Sequence, residues 1–332
     1  MTFPLFTRRL TLAAALALGV ASCGAGDDTK AGGAPSEITF SILSAEGQAS
    51  AGPLWQPLLD DMSKAIGVEV KPYFGSNYTV LVEAMRGNQT QVAWFSAKPA
   101  VEAINRANAE VIARTVNKEG LDSYRSTLIV RAGSGITLEQ VLACGKRYDF
   151  GIGDAQSTSG TLAPMAFLFN PRGIVPDQCF KTVRSANHQS NAFSVASGVL
   201  DVATSNTVNT VFLRKQNPQV ASQIQEIWQS PPIPESGILV REDLDPALKE
   251  KIRSFFLTYG QGEGAEAERQ RRVLAGLEYS RFNAADDGYL NPIREMIADQ
   301  QLGEARAKGD AAGVAAAERE LQRLRSLREV QP

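Results

Sequence analysis

The stretch VEVKPYFGSNYTVLVEAMRGNQTQVAWFSAKPAVEAINRANAEVIARTV, residues 68–116, decides the fold class. Three short runs rich in β-branched and aromatic residues, VEVKPYF, QVAWF and EVIARTV, alternate with NYTVLVEAMRG and PAVEAINRAN, which carry helical apolar spacing. This alternation predicts a mainly parallel sheet covered by helices, because a parallel connection needs a crossover long enough to hold a helix. The pattern extends upstream. Ile38, Phe40 and Ile42 alternate with polar residues, and Leu54, Leu58, Met62 and Ile66 share one face of a helix that Gly67 ends.

Downstream of Tyr124, STLIVRA reads as a crossing strand. A second β/α series follows: TLEQVLACG, YDFGIG, SGTLAPMAFLFN, FKTVRS, NAFSVASGVL, DVATS and VNTVFLRKQ. IQEIWQS and GILVRED look like strands returning to the first body, and helices beginning with DPALKEKIRSFFLTYG close the chain. The expectation is an α/β protein of two lobes, 37–125 with 229–290 and 126–228, joined by two hinge strands around a cleft. Ligands of open α/β sheets bind there, where the carboxyl ends of strands meet helix N-termini. Residues 291–332 form one or two amphipathic C-terminal helices, whose charged face is either solvated or the contact of a homodimer.

With 332 residues, 43% hydrophobic content and a formal charge of -2, the composition is that of a soluble globular chain. Its basic residues form no stripe interleaved with aromatics, so no nucleic-acid partner is expected. The beginning, MTFPLFTRRLTLAAALALGVASC, has Arg8 and Arg9 before a short apolar run that ends at Ala21-Ser22-Cys23. That is an export signal, and the small residues before the cysteine resemble the lipobox of bacterial lipoproteins. Residues 1–23 are then a lipoprotein signal ending at the lipobox cysteine, cleavage leaves Cys23 as the lipidated first residue, 24–36 form a flexible tether, and the protein sits lipid-anchored on the extracytoplasmic face of a membrane. Outside the cytoplasm, Cys144 and Cys179 can pair as a disulfide; unpaired, they are small core residues.

Enzymatic constellations are scarce. His188 is the only histidine, no Gly-x-Ser-x-Gly elbow or Walker A loop occurs, and the cysteines lack zinc-ligand spacing, so neither metal nor cofactor is expected. A catalytic reading, a secreted phosphatase-like enzyme, rests on Ser157 or Ser159 with His188. The segment GDAQSTSGTLAP, residues 153–164, reads better as an anion cradle. A helix starting near Ser159 presents unpaired backbone N–H groups and the positive end of its dipole, and the hydroxyls of Ser157, Thr158 and Ser159 add donors. The same residues also suit an ordinary helix N-cap.

GDAQSTSGTLAP, SANHQSNAFSVASGVLDVATSNT and IWQSPPIPESGILVRED, together with NYTVLVEAMRGNQTQVAWFSAKPAVEAINRAN, resemble the periplasmic phosphonate-binding proteins of ABC importers in order and spacing. The resemblance covers nearly all of the chain after the tether. It implies a type II periplasmic-binding-protein fold whose lobes close on a ligand delivered to a membrane permease. The family's phosphonate-holding Ser-Thr-Ser falls on Ser157, Thr158 and Ser159, its pocket histidine on His188, and two tyrosines on Tyr78 and Tyr124. Members resembling aminoalkylphosphonate binders carry carboxylates for the ligand's ammonium where this chain has Val208 and Ser236. Glu235 adjoins Ser236, but neighbours on an extended strand face opposite ways. The expected ligand is therefore phosphite or methylphosphonate, with a larger or aminated phosphonate such as 2-aminoethylphosphonate as the alternative.

Overall fold

The computed structural model describes residues 35–43, 48–75 and 77–330; the export signal, Cys23 and nearly all of the tether lie outside the described residues. Ile38, Phe40 and Ile42 leave strand β1 (Glu37–Ile42) on one side and enter a single core with Leu58, Met62 and Ile66 of the helix Gln48–Ile66. That core is the product of two periods, two along the strand and 3.6 along the helix, brought face to face. Strands β2 (Glu69–Phe74) and β3 (Val92–Phe95) pair parallel with β1 on its two sides, and β4 (Ala109–Asn117) follows the helix Ala97–Arg106. Leu81 and Met85 from the helix Tyr78–Arg86 pack with Phe95 and Val101 on the opposite face of the sheet.

The chain then crosses. Strand β5 (Ser123–Tyr124) leads into β6 (Ser126–Arg131), and the second sheet is completed by β7 (Asp149–Ile152), β8 (Thr182–Ser185), β9 (Val202–Asn206) and β10 (Ile224–Gln229). Its order is β10-β6-β9-β7-β8. β10 pairs antiparallel with β6, which corrects the expectation that IQEIWQS returns to the first body. Alternation identifies a strand but not its partner, and the short helix Pro218–Ser222 just before β10 holds it beside the second sheet. The return is made by β11 (Ile233–Pro234), which lies antiparallel to β5, so both crossings run side by side as the hinge.

Strand β12 (Gly237–Arg241) enters between β3 and β4, antiparallel to both, and β13 (Tyr279–Ala284) lies antiparallel to β4 at the edge. The first sheet is therefore mixed, in the order β13-β4-β12-β3-β1-β2, where a mainly parallel one was expected. The reason is direction of entry. β3 and β4 end at the cleft, whereas β12 starts there and must run away from it.

On one face of the second sheet, Phe150, Phe169 and Phe180 pack their rings together, with Cys144 and Cys179 joined beside them by a disulfide of 2.08 Å. Two C-terminal helices, Asn291–Lys308 and Ala311–Val330, end the described chain. Ile293 and Met296 dock the first of them on the first sheet's core, while Ala305, Ala317, Leu321 and Leu324 are also buried. No helix among the described residues is long and apolar enough to cross a membrane.

Candidate ligand-binding cleft

A cavity of about 70 Å³ lies between the two sheets, with Trp94 and Ser96 at the carboxyl end of β3 and Asn206 at that of β9. Pockets for drug-sized ligands run to roughly 300–1,000 Å³, so this one suits a ligand of a few heavy atoms. Ser157, Ser159, His188 and Val208 line it from the second sheet's side, Tyr78 from the first, and Tyr124, Glu235 and Ser236 from the hinge. Among the described residues no lysine or arginine lines this cavity.

The cradle begins where β7 ends. Ser157 is the N-cap of a helical run over 158–172 that opens with a π-helical turn, Thr158–Leu162, and its Oγ accepts from the Gly160 N–H at 2.9 Å. Occupied as an acceptor, that hydroxyl keeps its proton free to donate. The first backbone N–H groups of the turn have no acceptor within their own helix. The loop is held by an unusually close backbone crossing, in which the Gly153 N–H donates to the Gly160 carbonyl at 2.9 Å. A Cβ on Gly153 would sit 2.6 Å from the Gly160 Cα, so both positions need glycine for approach rather than for backbone angle.

Ser159 Oγ lies 3.1 Å from His188 Nε2 and accepts from Asn206 Nδ2 at 3.1 Å. The Ser159 carbonyl accepts from Ser126 Oγ at 2.6 Å, which ties the turn to the second sheet. Burial pushes His188 down to about 4, against a smaller opposing effect of the Thr204 backbone. The ring is thus neutral at pH 7 and offers a donor or acceptor without charge. A histidine at about 4 is also a poor general base, since efficient bases sit near the working pH.

Asn206 escaped notice in the sequence because it reads as an N-cap. It is one, since its Oδ1 accepts from the Asn209 N–H at 2.7 Å, but its amide nitrogen is left for Ser159. Thr158 differs from its neighbours. Its hydroxyl accepts the backbone N–H of Lys98 at 2.8 Å and donates to Ser96 Oγ at 3.3 Å. The helix Ala97–Arg106 has no cap bond from its own N-cap side chain, Ser96, so Thr158 caps it from the other lobe.

On the hinge side, Tyr124 is half-buried, and desolvation pushes its phenol well above the ordinary tyrosine range while the Ser159 hydroxyl beside it works the other way. Tyr78 opens the helix that Asn77 caps through the Val80 N–H at 3.0 Å. Glu235 and Ser236, expected to face opposite ways as strand neighbours, stand together at the cavity. They fall in the irregular joint between β11 and β12, where strand alternation does not hold. Trp94 Nε1, also overlooked in the sequence, is buried with no hydrogen-bond partner among the described residues. The arrangement as a whole offers neutral hydroxyl, amide and indole donors at a helix N-terminus, the chemistry of an anion site that works through dipoles.

The family model for the phosphonate periplasmic substrate-binding protein of ABC transporters matches residues 40–290. The phosphonates-binding periplasmic protein of Escherichia coli (strain K12) is 38% identical over 266 residues, spanning 80% of this chain and 77% of that relative. A binding protein component of an ABC phosphonate transporter from Pseudomonas aeruginosa superposes with a TM-score of 0.83 at 36% identity, covering 90% of this chain and 99% of the other. PhnD1 from Prochlorococcus marinus (MIT 9301), in complex with methylphosphonate, shares the fold with a TM-score of 0.70 at 21% identity, covering 83% of this chain and 99% of the other. Cleft, cradle and relatives agree: the chain belongs to the periplasmic phosphonate-binding proteins, the substrate-binding subunits of ABC transporters.

Proposed function

We propose that this protein captures phosphite or methylphosphonate in the interlobe cleft and delivers it to the permease of an ABC importer, held at the membrane by a lipid on Cys23. Members of the family are exported, bind a substrate and carry out no chemistry on it. The observation that carries the ligand assignment is the cavity's size, about 70 Å³, combined with its uncharged donors around Ser157 and Ser159. Val208 and Ser236 line it where carboxylates would be needed for an ammonium group. A second reading, an aminated phosphonate, is favoured by one observation, the Glu235 carboxyl in the same cavity.

Calorimetric titration with phosphite, methylphosphonate, 2-aminoethylphosphonate and phosphate separates the two. Hydrogen bonds to a charged group are worth about 1.5–3 kcal/mol each, so Ser157→Ala and Ser159→Ala should each weaken methylphosphonate binding by roughly 10- to 100-fold. Ser157→Ala also removes a helix N-cap, so it should lower stability by about 1 kcal/mol as well. Binding of 2-aminoethylphosphonate more tightly than phosphite by the unaltered protein would select the second reading.

In this scheme Thr158 acts on closure and not on the ligand. Thr158→Val removes the cap on Lys98 and leaves a backbone N–H unpaired only in the closed state, a cost of about 1–2 kcal/mol. Stopped-flow measurement should show dissociation accelerated about 5- to 30-fold with association unchanged, and Thr158→Ser should restore the slow rate. A variant with wild-type dissociation would remove Thr158 from this role.

A further inference from the structure

Glu235 is 3% exposed and lines the ligand cavity. Its Oε2 accepts from Thr115 Oγ1 at 3.4 Å and from the Ser236 N–H at 3.3 Å. Its Oε1 has no hydrogen-bond partner among the described residues. The cations on the surrounding elements have partners of their own, although the buried Nε of Arg114 is left without one among the described residues. Arg114 on β4 pairs with Asp122 at 2.7 Å, Arg125 donates to the Ser230 carbonyl at 2.6 Å, and Lys118 and Lys215 both hold Glu278.

We propose that Glu235 binds the ligand through a shared proton, with one hydrogen held between its Oε1 and an oxygen of the phosphite or phosphonate. The complex forms from a neutral acid and a dianion, or from a carboxylate and a monoprotonated anion; the products are the same. The inference rests on the assignment of a small phosphorus oxyanion to this cleft. Two fully ionised anions would repel across so small a space, and a buried carboxylate without a cation is costly. A carboxylic acid kept neutral by its surroundings becomes a donor to an oxyanion.

The titration of the neighbours leaves this proton visible. Burial pushes Glu235 up to about 7, and Asp122 and Glu119 push in the same direction, more weakly. A phosphate ester has its second ionisation near pH 6, and the less electron-withdrawing hydrogen or methyl group of phosphite or methylphosphonate raises it, so both partners shed the proton close to neutrality. Tyr124 on β5 and Tyr289, in the turn Asp287–Leu290, are held by burial well above the ordinary tyrosine range. Tyr279 lines the cavity from β13, and His188, across it, stays at about 4. Lys98, lowered by burial, donates its ammonium to the Ala155 carbonyl at 2.5 Å, outside this set.

The test is calorimetry with methylphosphonate between about pH 7 and 9, in buffers of different ionisation enthalpy. Above pH 8 both free partners are ionised, so binding should take up one proton and Kd should rise about tenfold per pH unit. Glu235→Gln, whose amide donates at every pH, should bind with a flat profile and no proton uptake. A flat profile without uptake in the unaltered protein would overturn the proposal, as would a slope that persists in Glu235→Gln. Binding of 2-aminoethylphosphonate at least tenfold tighter than methylphosphonate, without proton uptake, would overturn it in favour of a carboxylate–ammonium pair. Failure to bind any of these anions at any pH would instead sink the underlying oxyanion assignment, and the shared proton with it.

Discussion

Gly153→Ala should cost at least 100-fold in affinity for phosphite or methylphosphonate, about 2.7 kcal/mol or more. The added methyl would lie 2.6 Å from the Gly160 Cα and 2.8 Å from its carbonyl carbon, and backbone atoms cannot rotate aside as a side chain can. Relief requires the loop after β7 to move off the helical turn. That breaks the 2.9 Å bond from the Gly153 N–H to the Gly160 carbonyl and displaces Ser157 and Ser159 together. Overpacking of this kind costs roughly 1–3 kcal/mol of stability, so denaturant unfolding will register it too. Gly276→Ala is the control, since nothing lies within 4 Å of its added carbon and binding should be unaffected. If Gly153→Ala bound methylphosphonate within threefold of the unaltered protein, the cradle would not depend on this crossing.

Removal of the Cys144–Cys179 bridge should lower stability by about 4 kcal/mol in the chain-entropy model, because the bond closes a loop of 35 residues in the unfolded chain. Cys144→Ser with Cys179→Ser, or reduction of the unaltered protein, should shift the urea midpoint downward. The loss will concentrate in the second sheet's body, where the bridge adjoins the cluster of Phe150, Phe169 and Phe180. Ligand affinity should change little, since neither cysteine lines the cavity. Equal stability of the oxidised and reduced protein, or two free thiols titrating in unreduced denatured protein, would contradict this.

Much of the molecule is legible in its sequence. The period-two run of Ile38, Phe40 and Ile42 and the helical spacing of Leu58, Met62 and Ile66 name the residues that meet in the first core. Local patterns of this kind are written into neighbouring positions, and burial only executes them. The hydroxyl-rich turn at 157–159 was legible for the same reason, since an N-cap and the donors behind it are consecutive residues. Resemblance then gathered Tyr78, Tyr124 and His188, distant in the chain, into one cleft that their own surroundings do not announce.

What the chain alone left open was each choice made between distant segments. Alternation marks Ile224–Gln229 as a strand, but only packing assigns it to β6 and not to the first sheet. Nor does it show that β12 must run antiparallel between β3 and β4, which follows from where the hinge delivers it. Thr158 stands between two residues of the cavity wall, yet its hydroxyl serves a helix some 60 positions earlier in the chain. Glu235 lines the cavity from the irregular joint of β11 and β12. Composition and period are local quantities, so they determine which elements form and which faces are apolar; which strand pairs with which, and where a polar side chain turns at an irregular joint, depend on partners that only the folded chain brings within reach.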